Sequence, residues 1–360
     1  MSVFIIAEAG VNHNGNRDLA FKLVDKAVDA GADAVKFQTF KPENLVTRRA
    51  SKARYQEEAM GTTETQLDML KRLELSYDTH HELIIYCKEK GIEFLSTAFD
   101  FDSLDFLVNR LGLQTLKIPS GEITNGPLVL AHARTGSDLI VSTGMATLGE
   151  VEEILGVIAF GLVQGNSSTV QPSHSAFQQA YLSVQGQQLL RDKVTLLHCT
   201  TEYPAPPEDI NLNAMLTMGN AFGLKTGYSD HSKGLTVPIA AAALGAILIE
   251  KHFTLDKELS GPDHKASLDP DELKAMVIAI RTVEQVMGDG LKGPKPSELG
   301  NRSVVRKSLV AANNINEDDL FSEENLSIKR PGTGRSPMEF WSFIGKKSHK
   351  KYSSDEVIDE

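Results

Sequence analysis

Eight short apolar runs recur along this chain, each followed by a polar loop and an amphipathic stretch. They lie at 3–9, 34–40, 93–99, 115–121, 139–145, 194–200, 224–229 and 247–253. Most are rich in Val, Ile, Leu and Phe with no polar alternation, as parallel strands covered on both faces must be. The stretches between them supply the covers. Leu19, Leu23, Ala27 and Ala30 make one helical stripe. Leu273, Met276, Val277, Ile280, Val283 and Met287 make another, behind a cap-like Asp269-Pro270. Eight β/α units within residues 1–288 predict an α/β fold, a (β/α)8 TIM barrel.

Two stretches break the regular units. Residues 41–77 form a long polar excursion after the second strand, expected to be partly helical. Residues 165–191 are rich in Gln and Ser and precede the sixth strand, on the side of a barrel away from the chemistry. A Gly/Pro-rich linker is expected at 289–300 and a small second domain at 301–360. Its strand-like pieces are 308–311 and 326–329. About 60 residues is small for an independent core, so this tail is expected to lean on another surface.

The 360 residues carry a net charge of −11, which excludes a broad basic nucleic-acid footprint but not a local anion pocket. Cys87 and Cys199 have no metal spacing and read as reduced thiols. The N-terminus lacks a basic n-region, and no apolar run approaches a membrane span. The expectation is a cytoplasmic protein. Asn166-Ser167-Ser168 fits a glycosylation acceptor, which has no meaning there.

The strand ends carry the chemistry, because active sites of such barrels form at the C-terminal face. Gly227-Tyr228-Ser229-Asp230-His231 and Ile249-Glu250-Lys251-His252 place an imidazole at the end of each of two consecutive strands. Two neutral imidazoles there can hold a divalent metal with positions open to substrate. The other ends offer Glu8, Lys36, Gln38, Ser96, Thr97, Lys117, Ser120, Glu122, Ser142, Thr143, Thr200, Thr201, Tyr203 and Ser229. Two lysines with several hydroxyls suit a phosphate or carboxylate, and two carboxylates can move protons. Blander readings stand beside these. Glu8 could be a cap or barrel salt bridge, and Lys36 could pair with a neighbouring carboxylate. Asp263 could shape its turn, and His13 reads better as a loop residue. Tyr203 could face the site or pack beneath it. A Schiff-base role for Lys117 would leave the histidine pair idle. Residue chemistry alone reaches a metal-assisted barrel enzyme acting on an anionic substrate.

These same segments resemble the sialic acid synthase family across nearly the whole chain. The carrying motifs are Ala7-Glu8-Ala9-Gly10-Val11-Asn12-His13-Asn14-Gly15, Val35-Lys36-Phe37-Gln38 and Leu116-Lys117-Ile118-Pro119-Ser120-Gly121-Glu122. Further ones are Ser142-Thr143-Gly144-Met145, His198-Cys199-Thr200-Thr201-Glu202-Tyr203-Pro204, the two histidine segments and Ser260-Gly261-Pro262-Asp263-His264. The tail, with Lys329-Arg330-Pro331-Gly332-Thr333-Gly334, resembles the antifreeze-like (SAF) domain that ends these enzymes.

The resemblance implies condensation of phosphoenolpyruvate with an N-acetylated hexosamine to give a nine-carbon 2-keto acid and phosphate. It implies that His231 and His252 hold Mn2+ or Mg2+. Lys36, Thr97, Lys117, Ser120, Ser142 and Ser229 match positions that hold phosphoenolpyruvate, and Thr201 stands where some members have Asn. Gln38, Tyr203, Asp263 and Glu8 match positions that face the sugar. Glu8 and Glu122 are both candidate proton carriers, unranked. Arg330 matches an arginine that reaches the sugar's N-acetyl group from the other subunit of a domain-swapped homodimer; alone it would read as a turn residue.

N-acetylmannosamine is the first acceptor to consider, giving N-acetylneuraminate. The rival is 2,4-diacetamido-2,4,6-trideoxymannose, giving N,N'-diacetyllegionaminate. A non-catalytic sugar-binding barrel is the reading from a different class, and the intact histidines, lysines and Glu122 speak against it.

Overall fold

The computed structural model describes residues 2–61, 63–166 and 169–360, the side chains of 58–60 excepted. Ser167 and Ser168 of the glycosylation pattern lie outside the described residues. The chain divides into two compact units, Met1–Gly288 and Asp289–Glu360.

The first unit is a closed barrel of eight parallel strands in sequence order. They are β1 (Phe4–Gly10), β2 (Ala34–Thr39), β3 (Glu93–Ala98), β4 (Thr115–Ile118), β5 (Asp138–Ser142), β6 (Val194–His198), β7 (Lys225–Asp230) and β8 (Leu248–His252). Pairing of β1 with β8 closes the ring, setting Glu8 opposite His252. The predicted fourth run is longer than β4. Pro119 has no N–H for the ladder, and Ser120–Glu122 turn into a 3-10 helix instead.

Both faces of the strands are apolar, for different reasons. The outward side chains, such as Ile5, Val35, Val141 and Ile249, join the helices in the main core. The inward ones, Ile6, Ala34, Leu95, Ile140, Leu197 and Leu248, fill the barrel's lower interior. Gly227 takes an inward position where a Cβ would lie 2.4 Å from the Leu248 carbonyl and 2.8 Å from Leu197. Leu197 occupies that space, so the strand needs a bare backbone there.

The helices start where the caps demand. Asn16 accepts from the Leu19 amide at Arg17–Ala30, and Asp269 forms a capping box with Glu272 at Pro270–Met287. Of the predicted stripes, Leu23, Ala27, Ala30, Leu273, Met276, Val277 and Ile280 are buried. Leu19 and Val283 are half-buried, and Ala20 and Val24 complete the first face instead. Met287, in the last turn, is exposed.

The excursion at 41–77 contains three short helices, Pro42–Leu45, Arg54–Met60 and Gln66–Leu73. Met69 and Leu73 pack with Val11 and Phe40 at the barrel mouth. The insertion before β6 forms His174–Leu182 and Val184–Lys193, with Phe177 edge-on to Phe160 of the outer helix Leu148–Gln164.

In the second unit, Pro296–Val305 is helical, so the second half of the expected linker is a regular element. Pro296 at its first turn and a capping contact from Glu298 explain why. An antiparallel pair, β9 (Ser308–Ala311) and β10 (Leu326–Lys329), follows. Leu309, Ile315, Phe321, Leu326, Phe343, Tyr352 and Ile358 form an apolar cluster of the unit's own. The expectation of a tail without a core overlooked Phe321, Phe343 and Tyr352, which stand outside the strand-like runs. Among the described residues no helix is long and apolar enough to cross a membrane.

Candidate active site

Inward strand positions recur every two residues, and that period builds the site in layers. The apolar floor is Ile6, Ala34, Leu95, Ile140, Leu197 and Leu248. Two residues further along the same strands stand Glu8, Lys36, Thr97, Ser142, Cys199 and Glu250. With Lys117 of β4 and Ser229 of β7 they line one cavity of about 530 Å3. Two residues further again, Gln38, Thr201, His231 and His252 line its upper part.

The middle layer is a buried set of two cations and two anions. Lys36 Nζ stands 2.6 Å from Glu8 Oε2 and 3.5 Å from Glu250 Oε2. It also donates to Thr97 Oγ1 at 2.9 Å. Lys117 Nζ donates to Glu250 Oε1 at 3.2 Å, and Ser229 Oγ donates to the same oxygen at 2.8 Å. All four charged side chains are almost wholly buried.

Burial and charge push the two carboxyls apart. Burial raises Glu8 to about 7, with Lys36 opposing and Glu250 adding to the rise. Burial acts the same way on Glu250, but Lys117 and Lys36 outweigh it and hold that carboxylate well below the usual range. Burial opposes the charge on Lys36, yet Glu250 and Glu8 together keep its pKa above the ordinary lysine value. One carboxyl near neutrality beside one fixed anion is a usual acid–base arrangement.

Above this layer sit the histidines, with ring centroids 5.8 Å apart. His231 Nδ1 donates to the Thr200 carbonyl at 2.6 Å. A carbonyl can only accept, so the lone pair of the neutral ring is on Nε2. The Tyr203 hydroxyl donates to that nitrogen at 2.9 Å, and the Tyr203 ring stacks on His231 at 4.1 Å. Burial lowers His231 to about 4 and holds His252 well below the ordinary value, with His231 adding to the latter effect. His252 Nδ1 is buried with no hydrogen-bond partner among the described residues. Gly10 makes room beside it. The strand bulges between Glu8 and Gly10, and at φ +53° a Cβ would lie 3.1 Å from the His252 ring.

Two neutral imidazoles, one oriented by a carbonyl and one with an orphaned nitrogen, fit a divalent cation. Among the described residues no group of three or more His, Cys, Asp or Glu side chains could hold a metal. The protein would thus supply two nitrogens and leave the other positions to water and substrate. That donor set suits Mn2+ better than Mg2+, which prefers an all-oxygen octahedron.

The remaining predicted residues divide clearly. Ser120 Oγ and Thr201 Oγ1 are 3.2 Å apart and face the cavity. Gly144 lets them meet: at φ +44° its Cβ would lie 2.5 Å from both side chains. Gln38 is half-buried in the wall. Asp263 is buried in the wall, and burial alone raises its carboxyl to about 6. Glu122 lines the cavity half-buried, accepting from Asn125 Nδ2 at 2.7 Å. Arg330 is exposed in the second unit, just after β10. His13 is fully buried in its loop, with Nδ1 accepting from the Gly15 amide.

Glu250, Cys199 and Tyr55, all lining the cavity, escaped the sequence reading. Glu250 links both lysines; its signal was the period of two, since it precedes His252 as Ser229 precedes His231. Cys199 lies in the middle layer, where burial raises its thiol pKa and keeps it unreactive. Tyr55 of the excursion packs against Tyr203 at 5.0 Å, and no local pattern announces that.

The pattern of the NeuB family matches residues 23–292. The chain is 49% identical over 356 residues to the N,N'-diacetyllegionaminic acid synthase of Campylobacter jejuni, covering 99% of this chain and 98% of that one. It is 46% identical to the N,N'-diacetyllegionaminic acid synthase of Legionella pneumophila over 358 residues, 99% and 94% of the two chains. The crystal structure of the N-acetylneuraminic acid synthetase of Leptospira borgpetersenii superposes with a TM-score of 0.65 at 32% identity, covering 84% of this chain and 90% of that one. With the family pattern spanning most of the barrel and relatives matching end to end, the chain belongs to the NeuB family.

Proposed function

We propose that this protein condenses phosphoenolpyruvate with the open-chain form of an N-acetylated amino sugar, releasing phosphate and a nine-carbon 2-keto acid. The observation that carries this reading is the stacking in one cavity: a layer of lysines and hydroxyls beneath a pair of neutral histidines. Family membership supports it.

The acceptor we favour is 2,4-diacetamido-2,4,6-trideoxymannose, giving N,N'-diacetyllegionaminate. Relatives of that name at 49% and 46% identity support it. So does the outer wall, where Leu45, Val46, Met69 and Leu70 offer an apolar surface to a deoxygenated, doubly acetylated sugar. N-acetylmannosamine, giving N-acetylneuraminate, fits the family and is the second reading, supported by the Leptospira synthetase.

Lys36, Lys117, Thr97, Ser120, Ser142 and Ser229 would hold the phosphate and carboxylate of phosphoenolpyruvate. A trianion entering this layer replaces Glu8 and Glu250 as partner of the lysines. C3 of phosphoenolpyruvate then bonds to the aldehyde carbon, whose oxygen takes a proton. Water adds at C2, losing a proton, and the C2–O bond to phosphate breaks as the ketone forms. Glu8 is the proton carrier we favour over Glu122, since burial keeps it near neutrality. A divalent cation held by His231 and His252 would supply Lewis-acid polarisation of the aldehyde. Tyr203 and Asp263 would face the sugar.

The second unit would serve as the antifreeze-like (SAF) domain, presenting Arg330 to the acceptor of another copy in a domain-swapped homodimer. A reducing cytoplasm suits Cys87 and Cys199, both buried free thiols.

The deciding experiment offers purified protein phosphoenolpyruvate, Mn2+ and each acceptor in turn, reading phosphate release and product mass. The expected result is a nine-carbon keto acid, formed faster from the diacetamido sugar. Metal binding without product from either sugar would overturn the acceptor choice. Sugar binding without metal binding or turnover would leave the non-catalytic barrel.

A further inference from the structure

Tyr55 has no role in the reaction outlined above, yet it forms part of the cavity wall. Its ring packs 5.0 Å from that of Tyr203, tilted by 32°. Tyr203 in turn stacks on His231 at 4.1 Å. Tyr203 is thus in ring contact with both histidines, and Tyr55 is joined to them through Tyr203. The aldehyde end of an acceptor belongs beside the histidines, so a ring one step beyond Tyr203 meets the other end of the sugar.

The surrounding segment holds Tyr55 in place. The Gln56 side chain accepts from the Ala53 amide at 3.0 Å, and its Nε2 donates to the Tyr55 hydroxyl at 3.3 Å. Lys52, itself buried, donates to the Gly61 carbonyl and ties the two ends of the short helix together. Asp263 and Glu202 are near enough to act electrically on the phenol. The ring is therefore an oriented wall with one aromatic face and one polar edge.

We propose that Tyr55 selects the acceptor, reading the far end of the sugar where a 4-acetamido and a 6-methyl group replace two hydroxyls. This rests on the reading of the reaction given above. An acetamido methyl and a deoxy methyl gain from burial against an aromatic face, whereas hydroxyls at the same carbons lose water there without full compensation. A pocket that distinguishes substrates by one or two apolar groups reaches preferences of roughly 10–200-fold.

The experiment compares kcat/KM for both acceptors, and KM for phosphoenolpyruvate, in the parent, Tyr55→Ala and Tyr55→Phe. The parent is expected to prefer the diacetamido sugar. Tyr55→Ala should reduce that preference by about 10-fold or more while KM for phosphoenolpyruvate stays within about two-fold. Tyr55→Phe keeps the ring and should retain most of the preference. Stabilisation of each variant by phosphoenolpyruvate, read as a melting-temperature shift, shows that the cavity is intact. Equal losses on both acceptors in Tyr55→Ala, or a matching rise in KM for phosphoenolpyruvate, overturns the proposal. So does a parent that prefers N-acetylmannosamine. A parent that turns over neither sugar defeats the reaction itself, a result distinct from an unchanged preference in Tyr55→Ala.

Discussion

Lys36 Nζ and Glu8 Oε2 lie 2.6 Å apart in the barrel interior, each side chain almost wholly removed from water. This contact unites two readings of the sequence. Lys36 does pair with a carboxylate, and the pair lines the cavity. A buried pair whose carboxyl sits near neutrality can open when a stronger anion arrives. Glu8→Gln should keep the contact with Lys36 and remove the proton exchange. Phosphate release should fall about 100-fold or more while phosphoenolpyruvate still stabilises the variant. A variant within a few-fold of the parent would pass the proton role to Glu122.

Glu250 neutralises both lysines, so its loss leaves two buried cations with one anion. Glu250→Gln should destabilise the free protein by roughly 3 kcal/mol, measured by urea unfolding. Saturating phosphoenolpyruvate should recover part of that loss, because it brings anionic oxygens to the same lysines. An unfolding midpoint equal to the parent's, with and without the ligand, would contradict this electrostatic picture.

His231→Ala and His252→Ala should each abolish the response to Mn2+. Exhaustive chelation of the parent should stop turnover, and Mn2+ should restore it more fully than Mg2+. Mn2+ binding is read directly from the loss of the free-ion paramagnetic resonance signal. Full turnover after chelation would remove the cation from the reaction and reopen the Schiff-base reading at Lys117, which borohydride trapping tests.

Acid should unfold the barrel early. His132, on the helix Gly126–Arg134, donates from Nδ1 to the Leu128 carbonyl, and burial lowers its pKa from 6.5 to about 4. His13 is lowered to about 3 for the same first reason. The unfolded chain takes up these protons near the ordinary value, and the folded chain does not. Their contribution is therefore complete above about pH 6.5 and is lost as pH falls toward 4. His132 alone accounts for about 3 kcal/mol over that window. His132→Leu should flatten the fall in unfolding midpoint between pH 6.5 and 4.5. An unchanged slope would assign the acid sensitivity elsewhere.

Removing the chain after Gly290 should abolish turnover if Arg330 completes the acceptor site of another copy. Stabilisation by phosphoenolpyruvate should survive, since every residue proposed to hold it lies in the first unit. Arg330→Ala in the full chain should raise the acceptor KM and leave that for phosphoenolpyruvate nearly unchanged. A truncated chain with full activity would dismiss the role of Arg330.

The sequence by itself determined the eight strands, their parallel order and the strand ends on which His231, His252, Lys36, Lys117 and Glu8 stand. These follow from short-range rules: run length, helical stripes, caps and the C-terminal placement of barrel chemistry. Only the tertiary structure decided which side chains face inward. Strands buried on both faces lack the hydrophobic alternation that would reveal it, and only the period of two counted back from His252 points to Glu250 rather than Lys251. Closure of the ring turned Glu250 in toward Lys36 and Lys117 and Lys251 out to Asp230, where the two are bonded at 2.6 Å. The same holds for Tyr55, 148 residues before Tyr203 in sequence and packed against it in space. Such contacts arise from how the barrel closes and how the excursion folds over its mouth, and no local pattern in the chain encodes them.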